Sequence, residues 1–422
     1  MARRLLIGSA AAALVAVALL LGGVLRGAPA GDGSAPAAAA LAGSPSSLIR
    51  LQAEVRARPS SRGYALLGLA YEQKARATAD PGFYTRADGV LRRAAANDPL
   101  AVLARGSLAL SRHHFRDGLA LGRRAVALAP YTARGYGVLG DALIELGRYP
   151  EAFRAFDRMV SLRPGNSSYA RVSYARELRG DMAGARTAMR LALDAAADEP
   201  EPFAWTAVQL GKIEWSVGRL GAAERWYRQA LQVVPGYVYA LDALAQVEGA
   251  RRRFGRAIAL ERRAAEVVPQ PQFVTQLGDL YAVAGNGTAA RRQYSLIGAI
   301  RKLFAANGVR TDLEAAQFDV DHGIRLEHAV AEARAARADR PSIDGDDTLA
   351  WALARTGRCT EALHWSRRAL RLGTHDAVKL FHRGMVERCL GRPAAARPWF
   401  GRALALNPHF SLLWAPVARR YA

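Results

Sequence analysis

The chain has 422 residues, a formal net charge of +22 and 51% hydrophobic residues. Compact domains of about 150 residues would have to number two or three at this length, a limit that a repeat array escapes. Alanine, leucine and arginine dominate, and no stretch alternates polar with apolar residues long enough to build a sheet, so the body is expected to be all helical.

The charge invites a polyanion-binding reading through counterion release. However, lysine occurs only at Lys74, Lys212, Lys302 and Lys379, so the positive charge is almost entirely arginine, as genomic base composition alone would produce.

Residues 1–30 carry Arg3 and Arg4, an uncharged apolar run from Leu5 to Val24, then Arg26 and Ala28-Pro29-Ala30. This order is that of an export signal with a small-x-small cleavage site, and the run of about twenty residues is also long enough to remain as a membrane anchor. No cysteine follows it to accept a lipid. Residues 31–47, rich in Ala, Gly, Ser and Pro, read as a flexible linker.

From residue 48 to 408 the sequence repeats. Tyr136, Leu139-Gly140, Leu143, Gly147, Ala152, Phe156 and Pro164 set a frame that returns as Leu210-Gly211, Gly218, Ala223, Tyr227, Ala230 and Pro235, then as Leu277-Gly278, Tyr281, Gly285, Ala290 and Tyr294. It reappears as Gly384, Gly391, Ala396, Phe400, Ala403 and Pro408, and Pro130 to Pro164 and Pro235 to Pro269 are each 34 residues apart. The pattern resembles the signature of the tetratricopeptide repeat (TPR) family, W-x2-L-G-x2-Y, A-x3-F, P. The resemblance implies an all-α right-handed solenoid of about ten helix pairs, with residues 409–422 as a solvating C-terminal cap helix.

Within that frame, the small residue at the eighth position (Gly106, Gly140, Gly211, Gly278, Ala350, Gly384) lets the second helix lie close against the first, where the later alanine of the facing helix is expected to meet it. Gly147, Gly180, Gly218, Gly285, Gly357 and Gly391 fall where the chain reverses in a left-handed cap. Two places depart from the frame: an insertion around Thr78 to Tyr84, and 298–341, which keeps helical periodicity without the Leu-Gly pair.

Family members usually hold peptides on the concave side, lined by the first helix of each pair. The inward positions carry Arg134, Asp141, Tyr174, Trp205, Lys212, Trp215, Tyr239, Asp242, Gln246, Asp279, Phe318 and Trp351, with Glu177 among the further carboxylates. Aromatic groups supply broad contact area at low entropic cost, and carboxylates favour basic or hydroxylated ligands. Paired arginines at Arg92-Arg93, Arg123-Arg124, Arg262-Arg263 and Arg367-Arg368 fall on second helices, toward the outside. The lysines and asparagines that the family uses to clamp chaperone tails are not supplied.

Gly135 to Gly140 spells G-x-G-x-x-G but sits inside a repeat, without the strand that a dinucleotide site requires. Adjacent His113 and His114 diverge around a helix and cannot share a metal. Asp319, Asp321 and Gly323 faintly resemble a calcium loop and, like 344–347, read as solvated acidic turns. No metal or cofactor is expected. Cys359 and Cys389 are placed by the frame at helix ends that antiparallel neighbours bring together, either as a disulfide or as two buried thiols.

The reading is a non-catalytic scaffold outside the cytoplasmic membrane, secreted or anchored, that docks a protein or peptide in its groove, with no specific nucleic-acid partner. The alternative is an anionic or glycan envelope polymer held by the arginines and groove aromatics. A catalytic role would need a composite site of carboxylates such as Asp242 and Asp279.

Overall fold

The computed structural model describes residues 45–422, so the expected export segment and linker residues 31–44 lie outside the described residues. Residues 45–47, expected to close the linker, already belong to the first helix. The described residues form 22 α-helices and no strand.

Their contacts separate into two compact units. The N-terminal unit contains α1 (Pro45–Ala57), α2 (Ser61–Thr78), α3 (Gly82–Leu91), α4 (Pro99–Ser111), α5 (Phe115–Leu128), α6 (Ala133–Glu145), α7 (Tyr149–Leu162) and the start of α8 (Asn166–Leu178). The C-terminal unit runs from Ser173 through α9 (Met182–Asp194), α10 (Pro200–Ser216), α11 (Leu220–Val233), α12 (Val238–Ala250), α13 (Phe254–Val267), α14 (Pro271–Val283) and most of α15 (Gly287–Ala306). It resumes with α16 (Asp312–His322), α17 (Leu326–Asp339), α18 (Ile343–Arg355), α19 (Cys359–Ala369), α20 (Ala377–Cys389), α21 (Pro393–Leu406) and α22 (Trp414–Tyr421). Helices α2 to α21 make ten antiparallel pairs, flanked by α1 and α22.

The turn glycines of the frame, Gly147, Gly180, Gly218, Gly285, Gly357 and Gly391, all adopt positive φ between 68° and 86°. His113 and Arg252 take the same conformation, φ 60°, at the corresponding turns without glycine. Pro164, Pro235, Pro269 and Pro408 each follow two residues after a helix end, where a missing N–H costs nothing.

Four of the eighth-position glycines meet an aromatic ring rather than something small. A Cβ at Gly384 would stand 2.6 Å from the Phe400 ring, and one at Gly140, Gly211 or Gly278 would press still closer on Phe156, Tyr227 or Tyr294. The expected alanine contact is thereby corrected: Ala152, Ala223, Ala290 and Ala396 are buried, but the ring four residues later fills the space the glycine leaves, whereas buried Ala362 is followed at that spacing by Ser366.

The irregular 298–341 stretch is a full pair, α16 and α17, with Ala316 as the buried small residue. The preceding α15 is 20 residues long, against 14 in α11 and α13, which absorbs the break in period. Its end, 302–310, packs into the N-terminal unit: Val309 joins that core, Arg310 N–H donates to Arg112 O (3.1 Å), and His113 Nδ1 and His114 Nε2 lie 2.6 and 2.9 Å from the carbonyls of Arg310 and Gly308. The adjacent histidines thus grip backbone.

Three expectations of solvation are corrected. In α22, Trp414, Ala415, Val417 and Ala418 are buried in the core of the C-terminal unit, together with Phe410. Asp319 and Asp321 are 2% and 0% exposed; Asp321 accepts from Trp351 Nε1 (2.9 Å) and Gln317 Nε2 (2.7 Å). Asp346 is likewise sealed and holds Arg337 and Arg371 at 3.0 and 2.5 Å. Cys359 opens α19, Cys389 closes α20, and the two form a disulfide with their Cα atoms 5.4 Å apart.

Two outcomes follow for stability. Gly211→Ala gains about 1 kcal/mol of helix propensity but overpacks Tyr227, a cost of roughly 1–3 kcal/mol or more, so its melting temperature drops. Gly401→Ala in α21, where nothing lies within 4 Å of the new methyl, raises it. Thiol titration of the unfolded, unreduced protein is expected to find no reactive cysteine, and to find both after reduction.

Candidate functional site

Within the C-terminal unit the last repeats reach back to its first ones. Thr374 Oγ1 donates to the Leu178 carbonyl at the end of α8 (2.6 Å), and Asn407 Nδ2 donates to the Trp215 carbonyl near the end of α10 (2.8 Å). Leu412 packs on Ala245 and Leu280 and closes on Gly249, whose added Cβ would meet it at 3.0 Å. Helix C-termini expose unsatisfied carbonyls, so these contacts cap two of them while closing the wall.

The closure leaves a cavity of about 200 Å³. On one side it is lined by Tyr174, Glu177, Lys212, Trp215, Asp242, Gln246, Gln276 and Asp279 from α8, α10, α12 and α14; on the other by Asp344 of α18 and by Thr374, His375, Asp376 and Lys379 at the start of α20. Asp376 caps α20 through the N–H groups of Val378 and Lys379 (2.9 and 3.2 Å), and Lys379 Nζ bridges Asp344 (2.7 Å) and Asp376 (2.6 Å). Burial opposes both charges, but the mutual attraction wins: Lys379 is held well above the usual lysine range and Asp376 below the usual aspartate range.

The opposite wall is short of cations. Burial raises Asp242 to about 6 and Glu177 to about 7, against the pull of Lys212, and burial lowers Lys212 in turn. Glu261, fully buried beneath this wall, is driven well above the carboxylate range by burial and then by Asp242. Gln276 Nε2 joins the pair, donating to Glu261 Oε2 (2.6 Å) and Asp242 Oδ1 (3.0 Å). Asp279, also sealed, accepts through Oδ1 from Tyr294 (2.8 Å) and His322 Nε2 (2.9 Å), while Oδ2 has no partner. Burial alone would lower His322, but the Asp279 carboxylate outweighs it and raises the imidazole.

Of the twelve inward positions inferred from the sequence, Tyr174, Lys212, Trp215, Asp242, Gln246 and Asp279 come together in this cavity. Tyr239 is half-buried beside them, edge-on to Phe273 and accepting from Gln270 Nε2 (3.1 Å). The others are corrected. Trp205 is 8% exposed; Phe318 packs with Val274, Ile297 and Tyr294; and Trp351 is 0% exposed, stacked on His382 and edge-on to Trp414. Phe318 and Trp351 face neighbouring repeats because each stacking interface needs apolar volume as much as the groove does. Arg134 and Asp141 lie in the N-terminal unit, where Asp141 is buried and accepts both Nε (2.9 Å) and Nη2 (2.6 Å) of Arg171, and Arg134 is lowered to about 10, first by burial and then by Arg163.

The sequence reading did not assign Asp344, Thr374, His375, Asp376 or Lys379 to a site, since residues so distant in the chain reach it only through the closure. Glu261 did leave a signal: it stands sixteen positions after Ala245, where the frame puts Phe156, Tyr227, Tyr294 and Phe400. The paired arginines Arg92-Arg93, Arg123-Arg124 and Arg262-Arg263 are exposed, as is Arg367, with Arg368 half-buried over Trp365. One trio, Asp319, His328 and Glu332, brings three potential ligand atoms within 4.8 Å, but Arg325 (2.6 Å) already holds Asp319 and Arg301 (2.8 Å) holds Glu332.

Antiparallel helix pairs on a 34-residue frame, locked by glycine under an aromatic ring, make the chain a TPR-like helical-repeat protein. No family model matches it. It is 25% identical over 187 residues to cellulose synthase 1 operon protein C of Komagataeibacter xylinus, a match covering 41% of this chain and 14% of that relative. Among solved structures it is similar to the type IV pilus biogenesis factor PilW (17% identity, 48% of this chain and 92% of that one, TM-score 0.40) and to human IFIT1 (16%, 86% and 85%, 0.46). Among the described residues, no helix is long and apolar enough to cross a membrane.

The raised Glu177 gives a pH test with a definite sign. The folded state binds its proton more tightly than the unfolded state, so stability falls as pH rises from the ordinary value of 4.5 through about 7. Glu177→Gln removes that loss, and its melting temperature relative to the parent is expected to climb between pH 5 and pH 8 (about 4.5 and 7 bracketing the change).

Proposed function

We propose that the protein is a non-catalytic interaction scaffold that acts outside the cytoplasmic membrane and receives part of a protein or peptide partner in the cavity of its C-terminal unit. The observation that carries this reading is the convergence of Tyr174, Trp215 and five carboxylates from six helices on one cavity. A carboxylate so sealed as Glu261, 0% exposed, is a poor candidate for acid–base chemistry on a substrate, which favours binding over catalysis. The export-type N-terminus supports the location.

A second reading has one observation in its favour. The relative named above is a cellulose synthase operon protein, which favours a glycan or anionic envelope polymer held by the exposed arginines and the aromatic residues.

Affinity capture from intact cells separates the two. With Trp215→Ala and Tyr174→Ala, a partner held in the cavity is expected to be lost from the captured set at any salt concentration. Capture that survives both substitutions and vanishes in high salt assigns the function to the arginine-rich outer surface instead.

A further inference from the structure

We propose that the cavity of the C-terminal unit accepts one basic side chain, an arginine guanidinium or a lysine ammonium, from the partner; this inference rests on the peptide-binding reading above. The first ground is charge balance. Five carboxylates line the cavity, Glu177, Asp242, Asp279, Asp344 and Asp376, against two ammonium groups, Lys212 and Lys379. Both ammonium groups are already shared: Lys379 lies within 2.7 Å of Asp344 and 2.6 Å of Asp376, and Lys212 is placed electrostatically between Asp242 and Glu177. In a chain of net charge +22, this cavity therefore holds more carboxylates than ammonium groups.

The second ground is an orphaned acceptor. The Asp279 side chain, among those that line the cavity, is 1% exposed, and His322 and Tyr294 both engage Oδ1, so the buried Oδ2 is left with no hydrogen bond. A buried carboxylate oxygen in that position costs free energy until a donor arrives. The third ground is size and lining. About 200 Å³ falls below the roughly 300–1,000 Å³ of pockets for drug-sized ligands and suits a single side chain. Trp215 and Tyr174 are among the lining residues, and aromatic rings suit a methylene stem and a cation. A guanidinium, with five donors in a planar fork, could meet Asp279 Oδ2 and a second carboxylate together.

Calorimetric titration of the full chain with Nα-acetyl-arginine methylamide, its lysine counterpart and the neutral citrulline isostere tests this. Saturable binding of a cationic probe is expected, with citrulline about tenfold weaker or worse, and Asp279→Asn and Glu177→Gln each weakening the cation about tenfold. Glu177 lies on another helix from Asp279, so one variant carries the test should the other fail to fold by circular dichroism. Citrulline binding as tightly as arginine, or no saturation by any probe up to about 10 mM, overturns the proposal. Partner capture lost in Trp215→Ala but intact in Glu177→Gln would overturn this inference alone, whereas capture unaffected by any cavity substitution would overturn the peptide-binding reading itself.

Discussion

The aromatic ring seated over a missing Cβ sets the spacing on which everything else depends. In four pairs the ring of Phe156, Tyr227, Tyr294 or Phe400 occupies the volume left by a glycine sixteen positions earlier, and so fixes how closely the two helices approach. Where the ring is absent the solution changes. Gly106 is followed at that spacing by Gly122, and the Val138 side chain, 2.9 Å from where a Cβ on Gly106 would stand, takes the place of the ring. Ser366 takes the place after Ala350, and Glu261 the place after Ala245, both buried. The repeat therefore conserves volume and distance rather than residue type.

Glu261 is the costly exception. A carboxylate at a position built for a phenyl ring is cut off from water, and with Asp242 and Asp279 close by it is most cheaply kept neutral. Gln276 holds it on one oxygen, leaving the other without a partner. The last repeats close over the same wall: Thr374 and Asn407 tie the ends of α8 and α10, and Leu412 packs beside Ala245 and Leu280. An open solenoid would let water reach Asp242 and Glu177 and would relax their shifts. Closure and raised carboxylate pKa values are one phenomenon, desolvation, seen from the backbone and from the side chain.

The residues that made the fold legible are those whose reasons are local. A glycine at a left-handed turn and a proline two residues past a helix end follow from the chain's own geometry, and the frame located both. The inward-facing list was half legible for the same reason. Position in the first helix tells which side a residue takes, but not whether the next repeat covers it, and Trp351 and Phe318 were covered while Trp215 was left at the cavity. Asp376 and Lys379 had no local signal because their relation to α8 and α10 is a long-range closure. The acidic groups of 319–321 and 344–347 were misread as solvated because charge suggests water until a buried arginine, histidine or tryptophan is found facing it.

Charge is partitioned by helix role. The paired arginines of the second helices, half-buried Arg368 apart, face solvent, where guanidinium groups are screened and individually contribute little to stability. The first helices carry the carboxylates inward, and the lysines that reach them number two of the chain's four. A guanidinium from this chain could have met Asp279, yet the nearest cation supplied there is a histidine, engaged on the other oxygen. Ion pairs sealed on both sides would lock the wall, whereas a wall left one cation short stores a preference for whatever brings it. The outer surface can then be strongly basic without competing for the site, because bulk water and salt separate the two fields over about 10 Å.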